Sequence, residues 1–208
     1  MPVAHDYVFR NKFKAVAAAL RSAHGTLLDV GARDRALSTY LDARRLSYFS
    51  ADIGEGHDFQ VDLERPLEFP DAKFDHVVAL DVLEHVEHID QAFHELARIA
   101  RTDVIIALPN MATLSRRARF AVTGRLGTDK YDLLTDHQGD RHRWLTTHRQ
   151  VSTFIGSNAR TAGLRLERVV EEMDGHVAER LVGYALTRLH VVPAGWFSGR
   201  SIFFMTHV

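Results

Sequence analysis

Acidic residues stand at the ends of four apolar segments, where a buried strand would be followed by a loop. Asp29 closes the first segment beside Gly31, and Asp52, Asp62 and Asp81 close three later segments. One carboxylate can accept hydrogen bonds from both hydroxyls of a ribose, and Asp52 follows Gly31 by 21 residues (52 − 31). That separation is typical of nucleoside-cofactor sites. The spacing therefore predicts a site for a cofactor that contains a nucleoside.

The turn after Gly31 argues against a dinucleotide as this cofactor. Pyrophosphate binding needs a glycine-rich turn that leads into a helix N-terminus. Here the turn has one glycine and carries Asp34 close to where a phosphate would lie, and Asp29 adds a second negative charge. The negative electrostatic potential of these carboxylates favours a ligand that carries a positive ammonium group and a positive sulfonium group. S-adenosylmethionine is therefore the expected cofactor, and an NAD(P)-dependent oxidoreductase is the less favoured interpretation.

Strand-like and helix-like segments alternate along the chain and must position these residues. The alternation predicts an α/β fold: a doubly wound, Rossmann-like, mostly parallel sheet of seven strands with helices on both faces. Ligands of such sheets bind outside the carboxyl ends of the strands. The predicted strands are 26–30, 46–53, 59–63, 74–80, 104–108, 164–169 and 201–206. The predicted helices are 9–22, a helix capped by Asp34, 89–100 and a helix that begins at Thr147 and ends at Gly163.

The regular alternation of strand-like and helix-like segments ends after residue 110. Residues 111–145 carry polar and basic turns with three glycines, which predicts a small lid or substrate insertion over one edge of the sheet. We expect a single domain over residues 1–208. Residues 177–197 are rather apolar, which is typical of a core helix or of a contact in a homodimer, and less favourably of a peripheral membrane contact near a lipidic substrate.

Taken in order, these segments resemble the class I S-adenosylmethionine-dependent methyltransferases. The motifs that carry the resemblance are LLDVG at 27–31, ADI at 51–53, DL at 62–63, FDHVV at 74–78 and LEHV at 83–86. LEHV, LPN at 108–110 and DRHRWLT at 140–146 are most similar to the small-molecule branch of that family. The resemblance covers residues 25–170 and implies direct in-line methyl transfer to an oxygen, or less favourably a nitrogen, of a small acceptor.

The resemblance also implies which residues contact the cofactor. Asp29 and Gly31 would approach its methionine part, Asp52 its ribose and Ile53 its adenine. The remaining expected cofactor contacts are Asp62 and Leu63 at the amino edge of the adenine, and Asp81 and Val82 along the cofactor.

Two arginines depart from the family pattern. Arg33 and Arg35 stand where the family has glycines two and four residues after Gly31. Arg33 is expected to contact the methionine carboxylate, although both side chains are bulky enough to lower cofactor affinity. This departure leaves open an alternative function, a catalytically inactive, methyltransferase-like binding or scaffold protein.

Histidines are the candidate catalytic residues. His85 is expected to act as a general base on a hydroxyl acceptor, and His142 in the lid insertion is the second candidate. Asp81, Glu84 and His85 form D-x-x-E-H, and E-x-x-E-H resembles the divalent-metal site of some catechol-type and RNA-end methyltransferases. LEHV also occurs in metal-free members, so we expect no metal ion here. Further lid candidates are His137, Asp140 and Trp144.

Composition excludes several other functions. The chain has 208 residues, of which 46% are hydrophobic and 25% charged, as expected for a folded domain. It has no cysteine, which excludes thiolate chemistry and a methyl relay through a thiol. Lys plus Arg (26) balance Asp plus Glu (27), so charge gives no argument for a nucleic-acid partner. No apolar stretch reaches the ~18 residues of a transmembrane helix, and we expect a cytoplasmic protein.

Overall fold

One mixed β-sheet forms the centre of the protein in a computed structural model, which describes residues 3–8, 11–131, 141–173, 175 and 177–208. The described residues form eight strands in the order β1-β7-β8-β6-β5-β2-β3-β4. All neighbours are parallel except β8, which runs antiparallel to both β6 and β7. The strands are β1 (Ala4–Val8), β2 (Gly25–Val30), β3 (Leu46–Asp52), β4 (Phe59–Gln60), β5 (Phe74–Leu80), β6 (Ala100–Pro109), β7 (Leu164–Met173) and β8 (Ser198–His207).

Five α-helices and four short 3₁₀ helices connect these strands in the described part of the chain. The α-helices are α1 (Lys12–Ala19), α2 (Ile89–Ile99), α3 (Leu114–Thr123), α4 (His148–Thr161) and α5 (Val177–Arg188). The 3₁₀ helices are Ala36–Tyr40, Leu83–His85, Asp129–Tyr131 and Ala194–Trp196. None of the helices in these ranges is long and apolar enough to cross a membrane.

Adjacent residues of the central strands face opposite sides of the sheet, and both sides are buried. Leu28, Val77 and Ile106 belong to a core that also contains buried residues of α2 and α4. Their chain neighbours, such as Leu27 and Val78, belong to a second core that contains Val16 of α1. Continuous apolar runs are what such doubly covered parallel strands require. The predicted fold class, with helices on both faces, is therefore confirmed.

The described residues form eight strands of the sheet, so the expected number of seven was wrong by one. All seven predicted strands occur, and the additional strand is β1, which pairs in parallel with β7 from Ala4↔Arg168 to Val8↔Glu172. Its sequence, AHDYV, has neither an apolar run nor a regular alternation, and none of its residues is fully buried. An edge strand of this kind is defined by its pairing partner rather than by its own residues.

Other elements are shorter than their patterns predicted. The helix predicted over 9–22 spans Lys12–Ala19, and the strand predicted over 59–63 spans only Phe59–Gln60. The helix expected after Asp34 is the 3₁₀ helix Ala36–Tyr40, and its N-cap is Arg35 at φ 57°. Asp34 instead accepts a hydrogen bond from the Ala36 backbone N–H in the preceding turn.

The order of the strands changes direction at β2, because β3 and β4 lie on one side of it and β5 and β6 lie on the other. The carboxyl ends of these three strands lead into Gly31, Asp52 and Asp81. Such a switch point leaves a crevice between the loops that depart to either side. The fold therefore brings together three segments that are far apart in the sequence.

The segment 143–146, at the end of the expected lid insertion, contacts the loop that follows β5 and the end of β6. The Arg143 backbone N–H donates to the Glu84 carbonyl oxygen at 2.9 Å, and the Trp144 indole N–H donates to the Val86 carbonyl oxygen at 2.7 Å. The Thr146 hydroxyl donates to the carbonyl oxygen of Pro109 at the end of β6. These bonds fix the last part of the insertion against the switch point.

Candidate active site

A cleft of about 570 Å³ opens at the carboxyl ends of β2, β3 and β5. A smaller pocket of about 260 Å³ continues it past Ile53 and Val82. The cleft is lined by Gly31, Arg33, Asp52, Ile53, Asp81, Val82, His85, Arg141, His142 and Arg143. The smaller pocket adds Asp62 and Leu63. Of the nine expected cofactor contacts and the two leading catalytic candidates, His85 and His142, ten line this connected space.

Gly31 lets the turn after β2 pass close to the loop after β5. It has φ +73°, and a Cβ atom there would lie 2.8 Å from both Cβ and Cγ2 of Val82. Any side chain would therefore push these two loops apart and also adopt a left-handed backbone conformation. The glycine sets the width of the cleft at its floor.

Asp52 holds its own turn together at the rim of the cleft. Its Oδ2 accepts from the Arg33 backbone N–H at 3.0 Å, and its Oδ1 accepts from the Ile53 N–H at 2.8 Å. The next side chain, Ile53, is 66% exposed although it is apolar. A carboxylate beside an exposed apolar surface is suited to a ribose that carries a flat base.

Asp62 and Leu63 form the far wall of the smaller pocket. The Asp62 carboxylate accepts from the backbone N–H of Glu64 at 3.0 Å, which is the bond of a turn-capping aspartate. Leu63 is buried and belongs to the core on one face of the sheet. The pair therefore combines a structural role with a position in the pocket wall.

Asp29, an expected cofactor contact, lines neither the cleft nor the smaller pocket. It is 4% exposed, and its Oδ2 accepts from the Tyr48 hydroxyl at 2.8 Å. Burial raises the pKa of Asp29 to about 6, against the opposing effects of the Tyr48 hydrogen bond and of Lys12. The structure thus places this carboxylate behind the cleft.

Asp81 is held between two cations. Its Oδ2 pairs with Lys12 Nζ and its Oδ1 with Arg200 Nε, both at 2.6 Å. Arg200 also pairs with Glu172, in an ionic chain that runs towards β7. Burial alone would raise the pKa of Asp81, but the charges of Arg200 and Lys12 hold it below its usual range. Both cations lie far from Asp81 in the sequence, so the residues around Asp81 do not indicate either contact.

Arg33 and Arg35 both adopt a left-handed backbone conformation. Their φ angles are 47° and 57°, in the left-handed region that costs a non-glycine residue about 1–2 kcal/mol. The Arg33 side chain lines the cleft, whereas the Arg35 guanidinium donates to the carbonyl oxygen of Gly56. The two arginines thus differ in role, and only Arg33 reaches the site.

A second cavity of about 310 Å³ adjoins the cleft and shares Arg33, Asp81 and His142 with it. Basic side chains predominate among its lining residues, and Glu84 lies in its wall. The lining residues beyond the shared ones are Lys12, Leu80, Glu84, Pro109, Met111, Arg116, Thr128, Lys130, Gly199 and Arg200. This cavity has the position expected for a second ligand beside the first.

Glu84, His85 and His142 meet at the boundary between cleft and cavity. Glu84 is 1% exposed, and its Oε1 lies 3.7 Å from Nε2 of His142. The imidazole rings of His85 and His142 are nearly perpendicular, with centroids 4.6 Å apart. Burial, together with the charge of Asp81, raises the pKa of Glu84 to about 8. His142 therefore lies beside His85, in the walls of both the cleft and the second cavity.

The other lid candidates have different outcomes. Trp144 anchors the insertion through its bond to Val86 and does not line the cleft. Arg143 does line the cleft, a contact that sequence reasoning missed. His137 and Asp140 lie outside the described residues.

Comparison with protein families gives one match. A family model described as a methyltransferase domain matches residues 4–152, which is more than half of the chain. No curated protein sequence matches this chain.

Comparison with solved structures shows many similar folds. Magnesium protoporphyrin IX methyltransferase from Synechocystis PCC 6803, with bound S-adenosylhomocysteine, has a TM-score of 0.58 at 17% identity, covering 94% of this chain and 82% of that one. A putative methyltransferase from Bacillus halodurans C-125 has a TM-score of 0.59 at 14% identity, covering 93% and 97%. The cyclase SpnF has a TM-score of 0.57 at 15% identity, covering 99% and 88%. At sequence identities of 14–17%, this structural similarity shows that the chain shares their fold.

Proposed function

This chain belongs to the methyltransferase domain family and has the fold of class I S-adenosylmethionine-dependent methyltransferases, and on that premise we propose the reaction that its site supports. It transfers the methyl group of S-adenosylmethionine to an oxygen, or less favourably a nitrogen, of a small acceptor. The observation that carries this proposal is the cleft at the switch point, which ends at Glu84, His85 and His142 beside a second cavity.

The cofactor lies along the cleft in this proposal. The ribose hydroxyls bind Asp52, and the adenine packs on the exposed side chain of Ile53 and extends into the pocket of Asp62 and Leu63. The methionine part passes Gly31 and Arg33, and the Arg33 guanidinium meets its carboxylate. Further contacts come from Val82 and Asp81, while Asp29 contributes its negative charge from behind the cleft.

The reaction is a direct displacement at the sulfonium methyl group. A lone pair of the acceptor oxygen forms the new bond to the methyl carbon, the carbon–sulfur bond breaks, and its electrons remain on S-adenosylhomocysteine. Because the methyl group is already activated, catalysis consists mainly of holding the two reactants in line. We place His85 and His142 as the catalytic residues, which act on the acceptor oxygen and promote loss of its proton.

The size of the second cavity supports a small acceptor. Its volume of about 310 Å³ is at the lower end of the range for small-molecule sites. The cavity lies between the cleft and the lid insertion, so an acceptor bound there would present its nucleophile to the end of the cleft. A bulky acceptor would have to displace residues that the insertion contributes.

Isothermal titration of the purified chain with S-adenosylhomocysteine tests the proposal. We expect one site per chain, and methyl transfer from labelled S-adenosylmethionine to members of a library of small hydroxyl compounds. No heat of binding at millimolar ligand would refute the cofactor site. If the Arg33→Gly variant then bound the ligand where the wild-type chain did not, the alternative of an inactive binding or scaffold protein would replace this proposal.

A homodimer through α5 remains part of the proposal. Leu181 and Val182 of this helix are 55% and 54% exposed, while Gly183 packs against Phe197. The helix thus buries one side and leaves apolar residues on the other. Size-exclusion chromatography with light scattering measures the mass of the protein in solution and tests the dimer. A mass of one chain at all protein concentrations would exclude it.

A further inference from the structure

Three potential metal ligands meet at the end of the cleft. One ring nitrogen each of His85 and His142 and one carboxylate oxygen of Glu84 all lie within 4.8 Å of one another. Glu84 and His85 come from the 3₁₀ helix after β5, and His142 comes from the lid insertion. The cluster is therefore assembled by the fold across 57 residues (142 − 85) of sequence.

Hydrogen bonds fix which nitrogen of His85 carries a proton. Its Nδ1 lies 2.6 Å from the carbonyl oxygen of Arg141. A carbonyl oxygen can only accept, so Nδ1 is a donor, and in the neutral ring the lone pair is on Nε2.

His142 is fixed in the same tautomer. The Tyr131 hydroxyl donates its hydrogen to the Trp144 carbonyl oxygen at 2.9 Å, and it lies 3.0 Å from Nδ1 of His142. The hydroxyl therefore accepts from Nδ1, and the lone pair of His142 is again on Nε2, which faces Glu84. Metal-binding histidines are oriented in this way, with the second ring nitrogen donating to an outer acceptor.

Glu84 has a buried acceptor that the described residues leave unsatisfied. Its Oε2 accepts no hydrogen bond from any described residue, although the side chain is 1% exposed. Its Oε1 lies 3.7 Å from Nε2 of His142, which is too far for a hydrogen bond. A buried carboxylate oxygen without a partner is costly, and a cation bound by this cluster would give the Glu84 carboxylate a partner.

We propose that Glu84, His85 and His142 bind one divalent first-row transition-metal ion. Two imidazoles and one carboxylate suit Mn²⁺, Fe²⁺, Co²⁺ or Zn²⁺, whereas Mg²⁺ and Ca²⁺ prefer oxygen ligands throughout. Asp81 is not a ligand, because Lys12 and Arg200 occupy its two oxygens. The D-x-x-E-H pattern therefore contributes two ligands instead of three, and His142 supplies the third. The sequence led us to expect no metal ion, and the geometry changes that expectation.

The remaining coordination positions of the ion would face the second ligand. His142 lies in the walls of both the cleft and the adjoining cavity, and Glu84 lies in the wall of the cavity. Resting on the proposed function, the ion binds the acceptor oxygen, lowers the pKa of its hydroxyl and lets the proton pass to solvent. The histidines then act as ligands, and the acceptor is an oxygen compound able to coordinate a metal.

Titration of the full chain with Co²⁺, after treatment with a chelator and dialysis, tests the site without cofactor. We expect one Co²⁺ per chain, with visible absorption bands that report imidazole coordination. Glu84→Gln and His142→Ala should each weaken Co²⁺ binding by at least about tenfold. His94→Ala, which alters a histidine on α2 outside the cluster, should bind Co²⁺ like the wild type. Far-UV circular dichroism confirms that each variant is folded.

The outcomes separate this inference from the proposed function. Stoichiometry well below one ion per chain, or equal Co²⁺ affinity in the wild type and His142→Ala, would overturn the metal site. S-adenosylhomocysteine is titrated into the same wild-type sample. If the chain binds Co²⁺ but not S-adenosylhomocysteine, the metal site stands and the methyltransferase proposal is refuted. If it binds S-adenosylhomocysteine but not Co²⁺, the metal site is refuted and the methyltransferase proposal stands.

Discussion

Two aspartates at the ends of neighbouring strands have opposite environments. Asp52 lies in the wall of the cleft and accepts three backbone hydrogen bonds, whereas Asp29 is buried against Tyr48. A carboxylate that accepts backbone N–H bonds is stabilised in its charged form, and burial has the contrary effect. Asp52 therefore lies where a bound ligand could reach its carboxylate, whereas the carboxylate of Asp29 is buried away from the cleft.

Removing the carboxylate of Asp52 should weaken cofactor binding. We expect Asp52→Ala to lower affinity for S-adenosylhomocysteine by about 10–100-fold, because hydrogen bonds to a charged group contribute about 1.5–3 kcal/mol. Isothermal titration measures the change. Asp42→Ala, which removes an exposed carboxylate paired with Arg45, is the matched control and should bind normally. Unchanged affinity in Asp52→Ala would exclude a contact with the ribose.

The raised pKa of Asp29 should make stability depend on pH. Its pKa is about 6 in the folded chain and 3.8 as the unperturbed value, so the folded state binds the extra proton and loses stability as pH rises from 4 to 6. Asp29→Asn removes that loss. We expect the variant to be more stable than wild type by about 1–3 kcal/mol at pH 8 and similar at pH 4.

Urea unfolding at pH 4, 6 and 8 checks the Asp29 prediction. The other charged groups that act on Asp29 are Lys12, Asp34 and Asp52, and Asp34→Asn serves as the control because it leaves the buried carboxylate in place. A difference between wild type and Asp29→Asn that is the same at all three pH values would contradict the assigned cause.

At the scale of elements, α4 begins with a capping box immediately after the lid insertion. The Thr147 side chain accepts from the Gln150 backbone N–H, and the Gln150 side chain accepts from the Thr147 N–H. The preceding residue, Thr146, bonds to the end of β6. The cap therefore determines where the insertion ends as well as where the helix starts.

Loss of this cap should destabilise the chain measurably. We expect Thr147→Ala to lower the free energy of unfolding by about 1 kcal/mol, as other N-cap threonines do. Chemical denaturation measures the change, and Thr153→Ala, at an exposed position within the same helix, should change it by less than about 0.5 kcal/mol. Equal effects of the two substitutions would mean that the cap is not the cause.

The elements differ in how well the sequence predicted them, for a physical reason. β5 and β6 were predicted because their apolar runs record burial on both faces. β1 was not predicted, since its pairing with β7 depends on a partner about 160 residues away along the chain. The capped start of α4 was predicted because the signal lies within four residues.

The same contrast applies to the candidate site. The spacing of Gly31 and Asp52 predicted the cleft, because both residues end adjacent parallel strands. The contacts of Asp81 with Lys12 and Arg200 join residues 69 and 119 positions apart. Contacts of that range leave no local pattern and become visible only when the sheet is assembled.

At the scale of the whole molecule, the fold leaves the reaction undetermined and the site decides it. Proteins with this fold include a magnesium protoporphyrin IX methyltransferase and a cyclase. Function is carried by residues placed on a shared fold. In the proposed function of this chain, those residues are the lining of the cleft and the cluster of Glu84, His85 and His142.

Cofactor binding should stabilise the whole chain. Ligand at 100 times its Kd adds about 2.7 kcal/mol to the free energy of unfolding, which corresponds to roughly 5–10 °C in Tm for a chain of this size. We expect this shift with S-adenosylhomocysteine and none with NAD at the same concentration. Thermal unfolding monitored by fluorescence is the measurement. A shift with NAD alone would favour an oxidoreductase.

The position of β8 constrains how the chain can fold while it is being synthesised. Among the described strands, β8 comes last in the sequence, yet it lies between β6 and β7. It alone joins the pair β1 and β7 to the other described strands of the sheet. A nascent chain on the ribosome can therefore pair β2 to β6 early, but β7 has no sheet neighbour except β1 until β8 emerges. Until then the edge of β6 stays open, and a partly made chain offers it to chaperones or to other nascent chains.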